Sequence, residues 1–266
     1  MNARRKWLIR AKETLTDKRR KQYWEKTHKD DGYETVWSIT GAPDFCERIC
    51  QEVSILPEFS TILLPGCGSK VELQNSLAES LPITRICGTD YGEVVALAEK
   101  EENHAAITYV VRDSKALGFS REWDVILIVN SILSESDLEN RQILDSCFKA
   151  LKPGGMLVGV FPTIFSAVDI ALVEGKSEWL DLVDLNRSSF KDPVQGVTQV
   201  FYTPLRLRRI LMEANFQLKK MEVLFLDSDY FADHAKEYYG LTDPDTPIYE
   251  YLVVAQRPES AIDLGV

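Results

Sequence analysis

The residues whose types can do chemistry fall at three points in the first half of the chain: Gly66 with Gly68, Asp90, and Asp113 with Ser114. Thr61-Ile62-Leu63-Leu64 is a short apolar run entering Pro65-Gly66-Cys67-Gly68, the pattern of a buried parallel strand that passes into a glycine turn. Glycines there let the backbone bend sharply and approach a ligand, and the N-terminus of the helix that follows offers free N–H groups to an anion. Asp90 ends the next strand, 22 residues after Gly68. A carboxylate in that place can accept both hydroxyls of a ribose. Asp113-Ser114 follows a third strand, where an acid and a hydroxyl can read an adenine amino group. In open α/β sheets such strand ends share one crevice. Taken singly, each acid is equally an ordinary cap or turn residue, so the ordered set carries the signal.

Two nucleotide signatures are missing. The dinucleotide fingerprint needs a third glycine where Val71 stands, at the point of tight helix–strand packing. No G-x-x-x-x-G-K-[ST] loop occurs either. A ligand with adenine and ribose but no pyrophosphate fits the spacing better.

The elements that must hold these residues follow from periodicity. Residues 3–27 read as a helix, and Asp31-Gly32 as a turn. A second helix spans Ala42 to Val53, with Pro43 in its first turn and Phe45, Ile49 and Val53 four apart. Strands and helices then alternate. The strands are Thr61–Leu64, Arg85–Asp90, Ile107–Arg112, the very apolar Trp123–Val129, and Met156–Phe161. The helices are Val71–Ser80, Glu93–Glu102 and Leu138–Leu151. That alternation implies a parallel sheet covered on both faces. Ile164–Val183 reads as an apolar helix interrupted at Gly175, followed by a loop-rich stretch over 184–200. Thr203-Pro204 caps and opens another helix, and Gln217–Leu226 and Tyr249–Ala255 read as two further strands.

Residues 58–162 resemble the core of class I S-adenosylmethionine-dependent methyltransferases. The matching pieces are ILLPGCGS, ICGTDY, VRDS, WDVILIVNSIL and LKPGGMLV, and the likeness continues into YTPLRLRRILMEANFQLKKMEVL and IYEYLVVAQ. It departs at Leu64 and Lys70, where the family often has an acid and a third glycine. The resemblance implies an α/β fold: a Rossmann-like doubly wound, mostly parallel seven-stranded sheet with an antiparallel C-terminal edge. N-terminal helices and an inserted helical cap complete it. The divisions expected are 1–57 for an N-terminal helical extension or lid, 58–162 for the cofactor-binding core, 163–202 for a substrate-side cap, and 203–266 for completion of the sheet. It further implies that Gly66, Cys67 and Gly68 hold the methionine moiety of S-adenosylmethionine (product S-adenosylhomocysteine). Asp90 would bind the ribose, Tyr91 would lie against the adenine, Asp113 and Ser114 would contact its amino edge, and Asn130 and Ser131 would line the cofactor.

Methyl transfer from a sulfonium is an in-line displacement that depends chiefly on proximity, so a catalytic residue need not be visible and none is assigned. Candidate substrate residues are Tyr23, Trp24, His28, Tyr33 and Trp37 near the N-terminus and Phe165, Trp179 and Tyr202 in or beside the insertion. Ring faces there can enclose a cation, and plain hydrophobic docking explains them as well. Cys46 and Cys50 lie one helical turn apart with no His/Cys pair to complete a zinc site, so no metal is expected.

Charge bears on the substrate. The chain of 266 residues has 31 Lys+Arg and 41 Asp+Glu, a net -10. Residues 1–30 are nevertheless near +7, which leaves about -17 on the rest. A basic arm on an acidic body can bind nucleic acid or dock on its own domain. An acidic body disfavours a long phosphate track. The leading expectation is therefore a small-molecule methyl acceptor, taken on nitrogen or oxygen. The alternatives are an RNA or protein methyltransferase guided by residues 1–30, or a non-catalytic nucleoside-binding scaffold. No apolar run is long enough to cross a membrane, no signal peptide follows Arg4-Arg5-Lys6, and five Cys suit reduced thiols. The expected setting is a cytoplasmic monomer or homodimer.

Overall fold

The computed structural model describes residues 21–26, 28, 39–55, 60–173, 177–191, 197–227, 229–234, 236 and 248–259. Tyr33 and Trp37 lie outside them, as does the expected helix before residue 21. Residues 21–26 are helical.

Seven strands form one sheet: β1 (Thr61–Pro65), β2 (Arg85–Asp90), β3 (Ile107–Val111), β4 (Trp123–Val129), β5 (Leu151–Pro162), β9 (Gln217–Leu226) and β10 (Ile248–Gln256). Their order is β3-β2-β1-β4-β5-β10-β9, which puts the most apolar strand, β4, at the centre. Pairings among the first five are parallel, and β10 is antiparallel to both β5 and β9. The antiparallel strand is thus next to last, and the outermost strand β9 again runs with the others. Chain order reverses between β1 and β4, so the carboxyl ends of these strands open the crevice typical of such sheets.

Each face of the sheet carries its own core. Helices α1 (Pro43–Ser54) and α2 (Glu72–Ser80) cover one, and the four-residue repeat of α1 buries Phe45, Ile49 and Val53 as its spacing requires. Helices α4 (Asp137–Ala150) and α7 (Pro204–Glu213) cover the other, with Leu144, Cys147, Leu207 and Leu211 buried against Ile126, Ile128 and Trp123. Helix α3 (Gly92–Ala98) stops short of the expected Glu102, because the Asn103 side chain donates to the carbonyls of Ala98 and Glu101 and turns the chain there. Residues 152–155, between the expected helix Leu138–Leu151 and strand Met156–Phe161, already belong to β5: Gly154 N–H donates to Arg257 O, and Arg257 N–H donates to Gly155 O.

The 163–202 insertion contains helices α5 (Ile164–Val173) and α6 (Ser177–Leu180) and a small antiparallel sheet of β6 (Val183–Asp184), β7 (Ser189–Lys191) and β8 (Thr198–Val200). These strands were not expected in the loop-rich stretch, since segments of two or three residues are too short to show alternation. The turn between β6 and β7 is made locally, by Asp184 accepting from the N–H groups of Asn186 and Arg187. The chain leaves the main sheet at Thr163 and returns at Tyr202, and those residues bridge each other. Helix α8 (Asp229–His234) precedes β10. No helix among the described residues is long and apolar enough to cross a membrane.

At the opposite end of the strands from the crevice, Asp124 ties β1, β4 and β5 together. It accepts from the N–H groups of Ser60 and Thr61, from Thr61 Oγ1 at 2.7 Å and from Lys152 Nζ at 2.6 Å. Burial raises its carboxyl, but the hydrogen bonds from Lys152 and Thr61 outweigh that and hold it below its ordinary value. Its stabilising effect is therefore present above the ordinary carboxylate range and is lost as pH falls through the depressed value. Asp124→Asn should lower the unfolding free energy by about 1–3 kcal/mol at neutral pH and by less in acid, as read by urea denaturation at the two conditions.

Candidate active site

The glycine turn is built from the backbone outward. Gly66 and Gly68 have φ of 68° and 71°, left-handed values that favour glycine. The N–H groups of Gly66 and Cys67 both donate to Thr89 O on β2. A Cβ on Gly66 would lie 2.6 Å from Ser131 Cβ, so only glycine lets the turn pack this closely on the Ser131 side chain of the loop after β4. Ser131 Oγ closes that contact by donating to Pro65 O at 3.0 Å.

Asp90 stands over this turn. Its Oδ2 accepts the Gly68 N–H at 3.0 Å and its Oδ1 the Tyr91 N–H at 2.7 Å. Each oxygen therefore keeps a lone pair for a further donor. Burial pushes the Asp90 carboxyl up to about 6, against the pull of those two N–H groups and with a contribution from nearby Glu25. Asp113 spends one oxygen on its own turn, accepting the Lys115 N–H at 2.9 Å as the cap of Ser114–Ala116. The loop after β4 is fixed by Ser134, which pairs with Asn140 through both its N–H and its C=O and donates its hydroxyl to Glu139 at 2.5 Å.

These residues border one cleft of about 1020 Å³, its open mouth included. The cleft brings together Gly66, Gly68, Asp90, Tyr91, Asp113, Ser114, Asn130 and Ser131 of the expected cofactor set, and Trp24 and His28 of the expected substrate set. Cys67 lies beneath the turn instead, its buried thiol donating to Gly68 O and pushed well above the usual thiol range by burial. Tyr23 packs edge-on against Trp24 and does not border the cleft.

Three aromatic residues expected at the substrate are elsewhere. Tyr202 is wholly buried in the core between α4 and α7, edge-on to Phe161, with its hydroxyl donating to Ile132 O at 2.5 Å. Phe165 lies on α5, 43% exposed and away from the cleft. Trp179 packs against the core under α1 and α2. The apolar character of Tyr202 and Trp179 serves packing, which sequence spacing does not distinguish from binding. The cleft also contains residues sequence reasoning passed over: Arg112, Lys115, Leu133, Glu139 and Ile143, and Val197–Gln199 at the start of β8. For Glu139 a signal existed, since Ser136-x-x-Glu139 is a capping-box pattern at the start of α4.

The described part of the N-terminal segment lies across the cleft. Lys21 Nζ sits 5.8 Å from the Tyr91 ring centroid, and His28 Nδ1 is 3.0 Å from Ser69 Oγ. Burial pulls His28 down to about 4, so its imidazole is neutral when docked.

Residues 63–159 match the model of the family described as "Methyltransferase domain". Among solved structures, a S-adenosylmethionine-dependent methyltransferase from Methanosarcina mazei is 21% identical with a TM-score of 0.59, covering 79% of this chain and 98% of its own. Magnesium protoporphyrin IX methyltransferase from Synechocystis, solved with bound S-adenosylhomocysteine, is 15% identical with a TM-score of 0.60, covering 91% and 99%. The methyltransferase in complex with the Haloferax volcanii activator Trm112 is 16% identical with a TM-score of 0.58, covering 88% and 96%. At these identities the likeness to solved structures is one of fold. No curated protein matches the chain in sequence.

The doubly wound sheet brings the glycine turn, the strand-end acid and the post-β4 loop to one crevice. Residues 63–159 thus carry a methyltransferase domain, and the fold around them is similar to that of S-adenosylmethionine-dependent methyltransferases. The cleft can take S-adenosylmethionine: Asp90 keeps a lone pair on each oxygen for vicinal hydroxyls, and Gly66 and Gly68 line it without side chains.

A lowered imidazole means that docking of the arm is favoured above the ordinary histidine range and weakens as pH falls toward 4. By NMR the His28 imidazole should titrate near pH 4, and Trp24→Ala, which removes its ring neighbour 6.3 Å away, should return the midpoint toward about 6.5.

Proposed function

We propose that the protein methylates a small molecule on nitrogen or oxygen. In this reading Gly66 and Gly68 receive the methionine end of the cofactor, Asp90 the ribose hydroxyls, and Tyr91 the adenine face. Asp113 and Ser114 meet the adenine amino edge, and Asn130 and Ser131 border the cofactor. When bound, S-adenosylmethionine supplies an electrophilic methyl group on a sulfonium. The chain's contribution is to hold an acceptor lone pair in line with that carbon and to exclude water, a proximity effect. An acceptor N–H or O–H must also lose its proton, and no described side chain is assigned that task.

The observation that carries the small-molecule reading is the inward-lying arm. Trp24 and His28 border the cleft from one side and Val197–Gln199 of the insertion from another, which narrows the room for a long polymer track. Residues 21–28 are part of the basic stretch that would otherwise suit a phosphate backbone, and here Lys21 is turned to Tyr91. Their aromatic and imidazole rings fit a compact acceptor.

Labelled methyl transfer to panels of small amines, phenols and acids, run beside total RNA and unmodified protein, tests this. Label should appear in the small-molecule fraction, and label confined to RNA or protein would overturn the proposal. A second expectation concerns Asp90. Because its carboxyl sits near 6 and must be ionised to accept two hydroxyls, calorimetric affinity for S-adenosylhomocysteine should fall by about tenfold per pH unit below 6. Asp90→Ala should abolish binding and leave the thermal unfolding cooperative.

A further inference from the structure

A second buried acid stands behind the crevice wall. Glu250 lies on β10, opposite Pro162 of β5 and Leu224 of β9, and is 6% exposed. Its hydrogen bond comes from Asn130 Nδ2, which donates to Glu250 Oε1 at 2.8 Å. Asn130 borders the crevice from the end of β4, where its φ of 45° turns the chain into the following loop. The other oxygens of the two side chains, Asn130 Oδ1 and Glu250 Oε2, are both buried and have no partner among the described residues.

That pattern has a simple chemical cause. A carboxylate and a carboxamide facing each other offer three acceptor oxygens and one donating NH₂ group, so two buried acceptors would be stranded at a cost in stability. The stranded oxygens belong to the same two planar heads already joined through Nδ2 and Oε1. A single proton on Oε2 would satisfy both oxygens at once.

Among the described residues no cation pairs with Glu250. On the same face of β9, Lys220 and Glu222 pair with each other and with Arg48 and Glu52 of α1, a cluster with no net charge. On α5, Asp169 accepts from the Tyr249 hydroxyl. Tyr251 is approached by Thr163 Oγ1. Burial raises the Glu250 carboxyl to about 7, with the Asn130 hydrogen bond acting only weakly against it.

We infer that Glu250 is a protonated positioning residue: Oε2–H donates to Asn130 Oδ1, Asn130 Nδ2–H donates to Glu250 Oε1, and the resulting cyclic acid–amide pair locks the Asn130 carboxamide into the crevice wall. Both polar ends of Asn130 are thereby turned to the sheet, and its backbone and Cβ face the ligand space. The inference rests on the methyltransferase reading only where a ligand is used as its readout.

The direct test is independent of ligand. Infrared difference spectra of wild type against Glu250→Gln should contain a protonated carboxylic-acid C=O band at about pH 6 that shifts in D₂O and disappears as pH rises through about 7. Because the folded value lies above that of the unfolded chain, stability should fall across the same rise in pH, and Glu250→Gln should flatten the profile. S-adenosylhomocysteine affinity gives the positional readout: Glu250→Leu should weaken it by about tenfold, the loss of one buried hydrogen bond, and Glu250→Gln, which rebuilds the pair as two amides, should recover most of it. Absence of the band at about pH 6, or a Gln variant no better than the Leu variant, would overturn the inference. Should Glu250→Leu fail to fold, the band and the pH profile of Glu250→Gln still decide it. A wild-type protein that shows the band but binds no S-adenosylhomocysteine would refute the cofactor reading and leave the acid–amide pair standing.

Discussion

The crevice depends on a contact between two strand ends. Asp90 at the tip of β2 takes the N–H of Gly68 from the turn after β1 and that of Tyr91 from its own chain. This fixes the glycine turn against β2, already joined by the Gly66 and Cys67 N–H groups on Thr89 O. The same contact buries a carboxylate far enough to raise it toward 6. A buried carboxylate held by two backbone donors keeps a lone pair on each oxygen for a further donor. Architecture and recognition here have one origin.

Much of that was legible in the residues. The alternation of apolar runs with amphipathic stretches fixed the parallel strands, because buried strands must be continuously apolar and their covering helices must not be. The Pro65–Gly68 turn, Asp90 and Asp113 were legible because strand ends converge in any doubly wound sheet. The aromatic candidates were not. Tyr202 and Trp24 look alike in sequence, yet one anchors the insertion's return strand in the core and the other borders the cleft. Their difference arises from long-range packing that local spacing does not encode. The three short strands of the insertion and residue Glu250 escaped for related reasons. A segment of three residues has no period, and an acid within IYEYLVVAQ looks like a solvent-facing position until the sheet places it between β5 and β9.

The two coverings of the crevice have different mechanical standing. The insertion is tied at its base by the Thr163–Tyr202 bridge and by Val200 N–H on Leu133 O. That mounting makes β8 a fixed wall. Among described residues the N-terminal segment meets the crevice through side chains: the Lys21–Tyr91 approach, the His28–Ser69 hydrogen bond and aromatic packing around Trp24.

The place of β10 also constrains the order in which the enzyme can be made. During synthesis β5 has no partner on its outer side until β10 emerges, and 88 residues separate Thr163 from its contact Tyr251. Throughout that interval an apolar strand edge is open to any other chain, and β9 cannot shield it because β9 joins the sheet only through β10. The Asn130 wall is likewise incomplete until Glu250 arrives. A ribosome-bound chain can therefore own every glycine-loop residue of the crevice and still be a folding intermediate, dependent on its last strand for both solubility and a finished site.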